Sequence, residues 1–245
     1  MRGRKVSSEL RNTSRRKLLE WGVVGLGTAA LATLPKRLVA QTSSTIKTLT
    51  FDANDIGILN FALLLEELEA AFYLLVLKSG KITDPKEFDY MRALGTHEAT
   101  HVKFLRQVLG TYVTFQTKDL SFSRAGLNAV LKDRDTILNT AVALEDTGVH
   151  AYNGAGTSIK DPIYLLAAGS IVSVEARHSA GVRSLLKRPS TEPNSEQKVS
   201  KADLVPALNP FYGRPYDELY TPKQIVRIVS SLNIINNPIN GALVA

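Results

Sequence analysis

Four glutamates and two histidines of this 245-residue chain fall into two matching sets. The first is Glu66 with Tyr73, then Asp84-Pro85, then Glu98-Ala99-Thr100-His101. The second is Glu145 with Tyr152, then Asp161-Pro162, then Glu175-Ala176-Arg177-His178. Between the sets the Glu and Tyr are offset by 79 residues, and the Asp-Pro and Glu-x-x-His by 77. Helical residues three apart lie roughly 60° apart around the axis. Each Glu-x-x-His therefore presents a carboxylate and an imidazole to one place, and Glu66 and Glu145 each add a carboxylate. Their neighbours are apolar: Leu63, Leu65 and Leu68 on one side, Val142 and Leu144 on the other. Enclosed carboxylates are costly unless paired or bound to a cation, and four converging ones repel. Two divalent ions cancel that charge and leave the imidazoles neutral. The predicted chemistry is a dinuclear metal site on Glu66, Glu98, His101, Glu145, Glu175 and His178, with iron as first choice and manganese as second.

A lone Glu-x-x-His carries little information. With 12 Glu in 245 residues, a histidine has one three places before it by chance about one time in twenty. The weight comes from two copies with matching Glu, Tyr and Asp-Pro. Glu66 is preferred over Glu69 because Glu66 to Tyr73 repeats the spacing of Glu145 to Tyr152, and Glu69 is the reserve ligand. Its repeat partner is Gly148, which suggests an open side for a small substrate. Glu67 should face a neighbour or solvent, and Asp146 reads as another outward acid. His97 is expected at the surface or just behind the ligands, and His150 is not expected to ligate. Tyr73 and Tyr152 sit two turns beyond their glutamates, on the same face.

Helices must position these groups, and helix signals dominate. The first helix follows cap candidates at Asp52 to Asp55 and ends at Ser79-Gly80. The second starts at Asp84-Pro85, a cap followed by proline at the first helical position, and stops near Gly110. A connection of about a dozen residues (111–122) is long enough to cross a bundle. The third helix is predicted over Ser123 to Tyr152, and the fourth from Asp161-Pro162 to before Arg188-Pro189. A Pro-rich stretch, Pro189 to Tyr220, reads as a loop wrapped on the bundle through Phe211, Tyr212 and Tyr216. A last short helix starts at the Thr221-Pro222-Lys223-Gln224 capping box. The predicted fold is all-α: a four-helix bundle over 52–188 with one long crossover, plus a C-terminal extension over 189–245.

The net charge of +7 resides wholly in residues 1–40, which hold nine Lys or Arg and two Glu. The rest sums to zero, which argues against a nucleic-acid surface. Residues 1–40 have the layout of an export signal: Arg15-Arg16-Lys17, an apolar run from Trp21 to Leu34, and a small residue, Ala40, before Gln41. The run is shorter than the roughly 20 residues of a membrane span, and no stable span is expected in the mature chain. The arginine pair resembles a bacterial twin-arginine signal, which points to the periplasm or envelope. There is no cysteine, which excludes disulfides, thiolate nucleophiles and iron–sulfur ligation.

Around Leu59 to Tyr73, His97 to Val102, Ala143 to Tyr152 and Glu175 to His178, the chain resembles the ferritin-like superfamily. Within it, the chain looks most like bacterial ferritin-like domain proteins related to desiccation-associated proteins of plants. The resemblance implies the same six ligands and a reaction with oxygen or peroxide, as in ferroxidases, rubrerythrin-like peroxidases, manganese catalases and oxygenases. A homo-oligomer is also allowed, and the alternative function is a non-catalytic, metal-stabilised envelope or desiccation protein.

Overall fold

The computed structural model describes residues 45–190 and 217–245. The leader over 1–40 and the aromatic residues Phe211, Tyr212 and Tyr216 lie outside the described residues. Six α-helices are present among those described: α1 Asp55–Ser79, α2 Pro85–Leu109, α3 Arg124–Val130, α4 Arg134–Gly156, α5 Pro162–Leu185 and α6 Pro222–Leu232. Two residue pairs, β1 Leu49–Thr50 and β2 Ile239–Asn240, form a short parallel ladder that ties the start of the described chain to its end.

Local chemistry sets the helix ends. Asn54 caps α1 by accepting from the Gly57 amide, and Gly80 ends that helix in the left-handed region at φ 67°, where glycine carries no steric penalty. Asp84 and Asp161 cap α2 and α5, each followed by proline at the first helical position. The Thr221–Gln224 capping box opens α6. The third predicted helix is the one that differs. It is broken into α3 and α4 because Asp133 caps a new helix, its side chain accepting from the Thr136 amide at 2.8 Å. The bundle crossover therefore runs over 110–133 and contains α3.

α1 packs most extensively on α2 and α4 on α5, so the bundle consists of two helical hairpins joined face to face. α1 is buried on nearly every side, as expected of an apolar helix inside a fold. The crossover is pinned by the enclosed Asn60, which donates to the carbonyls of Ile56 (2.9 Å) and Tyr112 (3.0 Å) and accepts from the Thr114 amide (2.9 Å). Asn237 plays the same part for the C-terminal segment. It donates to the carbonyls of Lys47 and Asp119 and accepts from the Ser121 amide. No helix among the described residues is long and apolar enough to cross a membrane.

Candidate metal centre

The six predicted side chains meet at the middle of the bundle, one glutamate each from α1 and α4 and a Glu-x-x-His pair each from α2 and α5. Glu66, Glu98, Glu145 and Glu175 are all 0% exposed. Their donor atoms form two groups: Glu66, Glu98, His101 and Glu175, and Glu98, Glu145, Glu175 and His178. Within each group the atoms lie within 4.8 Å of one another. Glu98 and Glu175 belong to both groups, and the other four residues divide between them. Each group could hold a cation, and Glu98 and Glu175 would contribute to both.

Three observations test whether these residues fit metal ions. His101 Nδ1 lies 3.1 Å from each of Glu66 Oε2, Glu98 Oε2 and Glu175 Oε1. A ring nitrogen carries at most one hydrogen, so it cannot donate to three acceptors, whereas donors at about 2.1 Å from one cation stand about 3 Å apart. Next, Glu98 Oε1 and both Glu175 oxygens are enclosed without a hydrogen bond. Imidazole nitrogens do approach them, His178 Nδ1 at 2.8 Å from Glu98 Oε1 and His101 Nδ1 at 3.1 Å from Glu175 Oε1, but not as well-formed bonds. Last, the donor set is carboxylate and imidazole alone, which suits iron, manganese or zinc. The residues fit.

A further ring of contacts orients the donors. The Tyr152 hydroxyl donates to Glu66 Oε1 at 2.5 Å, and the Tyr73 hydroxyl donates to Glu145 Oε1. Each tyrosine thus serves the glutamate of the other hairpin. Glu67 pairs with Arg106 (2.5 Å) and accepts from Thr117 (2.8 Å). Asp146, expected outward, is instead buried and held by both terminal nitrogens of Arg183 (2.8 and 2.6 Å) and by the Ser179 hydroxyl (2.6 Å). Arg106 and Arg183 are 77 residues apart, and each follows its His by five. The repeat thus reads Glu-x-x-His-x-x-x-x-Arg, with Glu67 and Asp146 as the partners of the arginines. That signal was present in the spacing, and the arginines are what sequence reasoning missed.

The family model of the ferritin-like domain matches residues 54–188, more than half of the chain. The chain belongs to the ferritin-like domain family. Comparisons with curated proteins and with solved structures gave no match. In this ferritin-like chain the remaining polar residues take distinct places. His97 Nδ1 lies 2.8 Å from His178 Nε2, the ring nitrogen turned away from the carboxylates. His150 is enclosed against the Tyr220 ring at 4.4 Å and belongs to neither donor group. Glu69 is enclosed near the centre but also belongs to neither group. Gly148 does not leave an open side. A Cβ there would stand 3.3 Å from Glu175 Oε2 and 3.5 Å from Glu69 Oε1, so the missing side chain makes room for carboxylates.

The enclosed carboxylates and imidazoles shift one another's proton affinities. Burial, reinforced by Glu145, pushes Glu98 up to about 7. Burial and the charges of Glu98 and Glu66 hold Glu175 well above the usual carboxylate range. Glu69 is raised in the same way by burial and then by Glu175. For His178, burial opposes the charged form, but the Glu145 and Glu98 carboxylates beside its ring nitrogen outweigh it and lift the imidazole to about 9. His101 is likewise raised well above its ordinary value, burial being overcome chiefly by Glu66. Such shifts accompany sites that exchange protons for metal.

Proposed function

We propose that this chain is an exported dinuclear-metal protein, with iron the expected metal, that reacts with oxygen or peroxide by oxidising Fe(II) or removing peroxide. The observation that carries the reading is the pair of donor groups sharing Glu98 and Glu175. In this reading Glu66 and His101 would hold one ion, Glu145 and His178 would hold the other, and Glu98 and Glu175 would serve both. Bound redox ions would supply one-electron steps toward oxygen or peroxide. The chain's own residues do the rest. The apolar sheath of α1 and α4 excludes water, Tyr152 and Tyr73 fix the carboxylates, and His97 supports His178 from outside. With ions bound the imidazoles would be neutral, and the four carboxylates would balance the charge of the ions. The export reading is supported by the Arg15-Arg16 leader pattern alone.

Aerobic addition of Fe(II) to the metal-free chain, followed by optical and Mössbauer spectra, tests the proposal. Two irons per chain are expected, oxidised faster than in buffer, with both properties lost in Glu98→Ala and Glu175→Ala. Iron content well below two per chain and indifferent to these substitutions would contradict it. Thermal stabilisation by metal without turnover of either oxidant would favour a metal-held envelope or desiccation protein. N-terminal sequencing of the chain recovered from its own cells tests export, with Gln41 as the expected first residue.

A further inference from the structure

Beside the carboxylate centre lies a cavity of about 260 Å³ between α1, α4, α5 and the C-terminal segment. Its walls include Phe61 and Leu65 of α1, Ala168 and Ile171 of α5, and Ile225 of α6. No lining residue among the described ones is charged. The cavity opens in part to solvent, and water held inside it needs two to four polar partners. Here the residues with polar side chains are few, Ser158, Tyr152 and Tyr220, and the Tyr152 hydroxyl is already given to Glu66. The C-terminal wall is built rather than incidental. Gly154 lets the Tyr220 carbonyl approach α4 where any Cβ would collide with it, and Ile225 is fully enclosed.

We propose that this cavity is a binding site for a small, neutral, apolar molecule, an aromatic ring or short alkyl chain. An apolar cavity of about 150 Å³ takes a benzene ring; the 260 Å³ here, open in part to solvent, suits a molecule on the order of ten non-hydrogen atoms. Tyr152 lines the cavity and donates its hydroxyl to Glu66, so it is the partition between the bound molecule and the carboxylate centre. Binding stands on the cavity itself. That the molecule is a substrate or modulator of the centre rests on the function proposed above.

The test uses the full chain, metal-free and metal-loaded, titrated with indole and, as a charged molecule of similar size, benzoate. Saturable binding of one indole per chain is expected in both forms, with benzoate at least tenfold weaker. Methyl resonances of Leu65, Ile171 and Ile225 should shift with indole. Ala62→Phe and Ala155→Phe, which fill the cavity from different helices, should each weaken binding at least tenfold. Binding to the metal-free chain separates this proposal from the metal reading. Absence of saturable indole binding, unshifted methyl resonances, equal binding of benzoate, or indifference of folded filling variants would each overturn it. Where a variant does not fold, the methyl shifts of the unsubstituted chain decide.

Discussion

Glu175 has both oxygens enclosed without a hydrogen bond, and Glu98 has one, while both belong to the two donor groups. An unpaired buried carboxylate must be neutralised by a proton or a cation. Replacing either with alanine should therefore cost metal at both positions, whereas Glu66→Ala or Glu145→Ala should cost chiefly one; metal analysis of purified variants reads the difference. Tyr152→Phe keeps the ring and removes the hydroxyl that orients Glu66. Loss of such an orienting contact is expected to lower metal affinity by about 10–100-fold, read by competition with a chelator, with the helix content unchanged. These residues were legible from the sequence because type and spacing both repeat. Asp146 was misplaced for a physical reason: its spacing says which way it points on α4, but not that Arg183 of α5 stands there to receive it.

At the scale of elements, the buried Asp146–Arg183 pair ties α4 to α5, and Glu67–Arg106 ties α1 to α2 in the corresponding place. Removing one partner of a buried pair leaves an uncompensated charge and costs about 3–5 kcal/mol. Arg183→Ala should destabilise the fold by that amount in denaturant unfolding, and Asp146→Leu combined with Arg183→Met should recover most of it. Helix ends were largely readable because Asp-Pro, Ser-Gly and Thr-Pro-x-Gln state their caps locally. The break between α3 and α4 was not, since the apolar pattern continues through Val130 and Leu131 and only the Asp133 cap interrupts it. The position of α6 against α4 was likewise hidden. It depends on Gly154 accepting the Tyr220 backbone, a contact between residues remote in sequence.

For the whole molecule, the charge held at the centre links stability to pH and metal. Glu98 is raised from its ordinary value to about 7 and His178 to about 9. A raised folded-state pKa means that the folded form holds its proton more tightly. The resulting stability is complete below the unfolded-state pKa and is lost as pH rises through the folded one. The metal-free chain should therefore lose stability between about pH 4.5 and 7 through Glu98 and between about pH 6.5 and 9 through His178. Cations should reverse the trend, releasing protons as they bind; thermal unfolding across this range, with and without metal, reads both. The central claim is most directly tested by anomalous scattering from crystals of the Fe(II)-loaded chain. Two peaks are expected inside the bundle, one by Glu66 and His101 and one by Glu145 and His178, both touching Glu98 and Glu175. Iron found only on the surface, or nowhere in the chain, would contradict it.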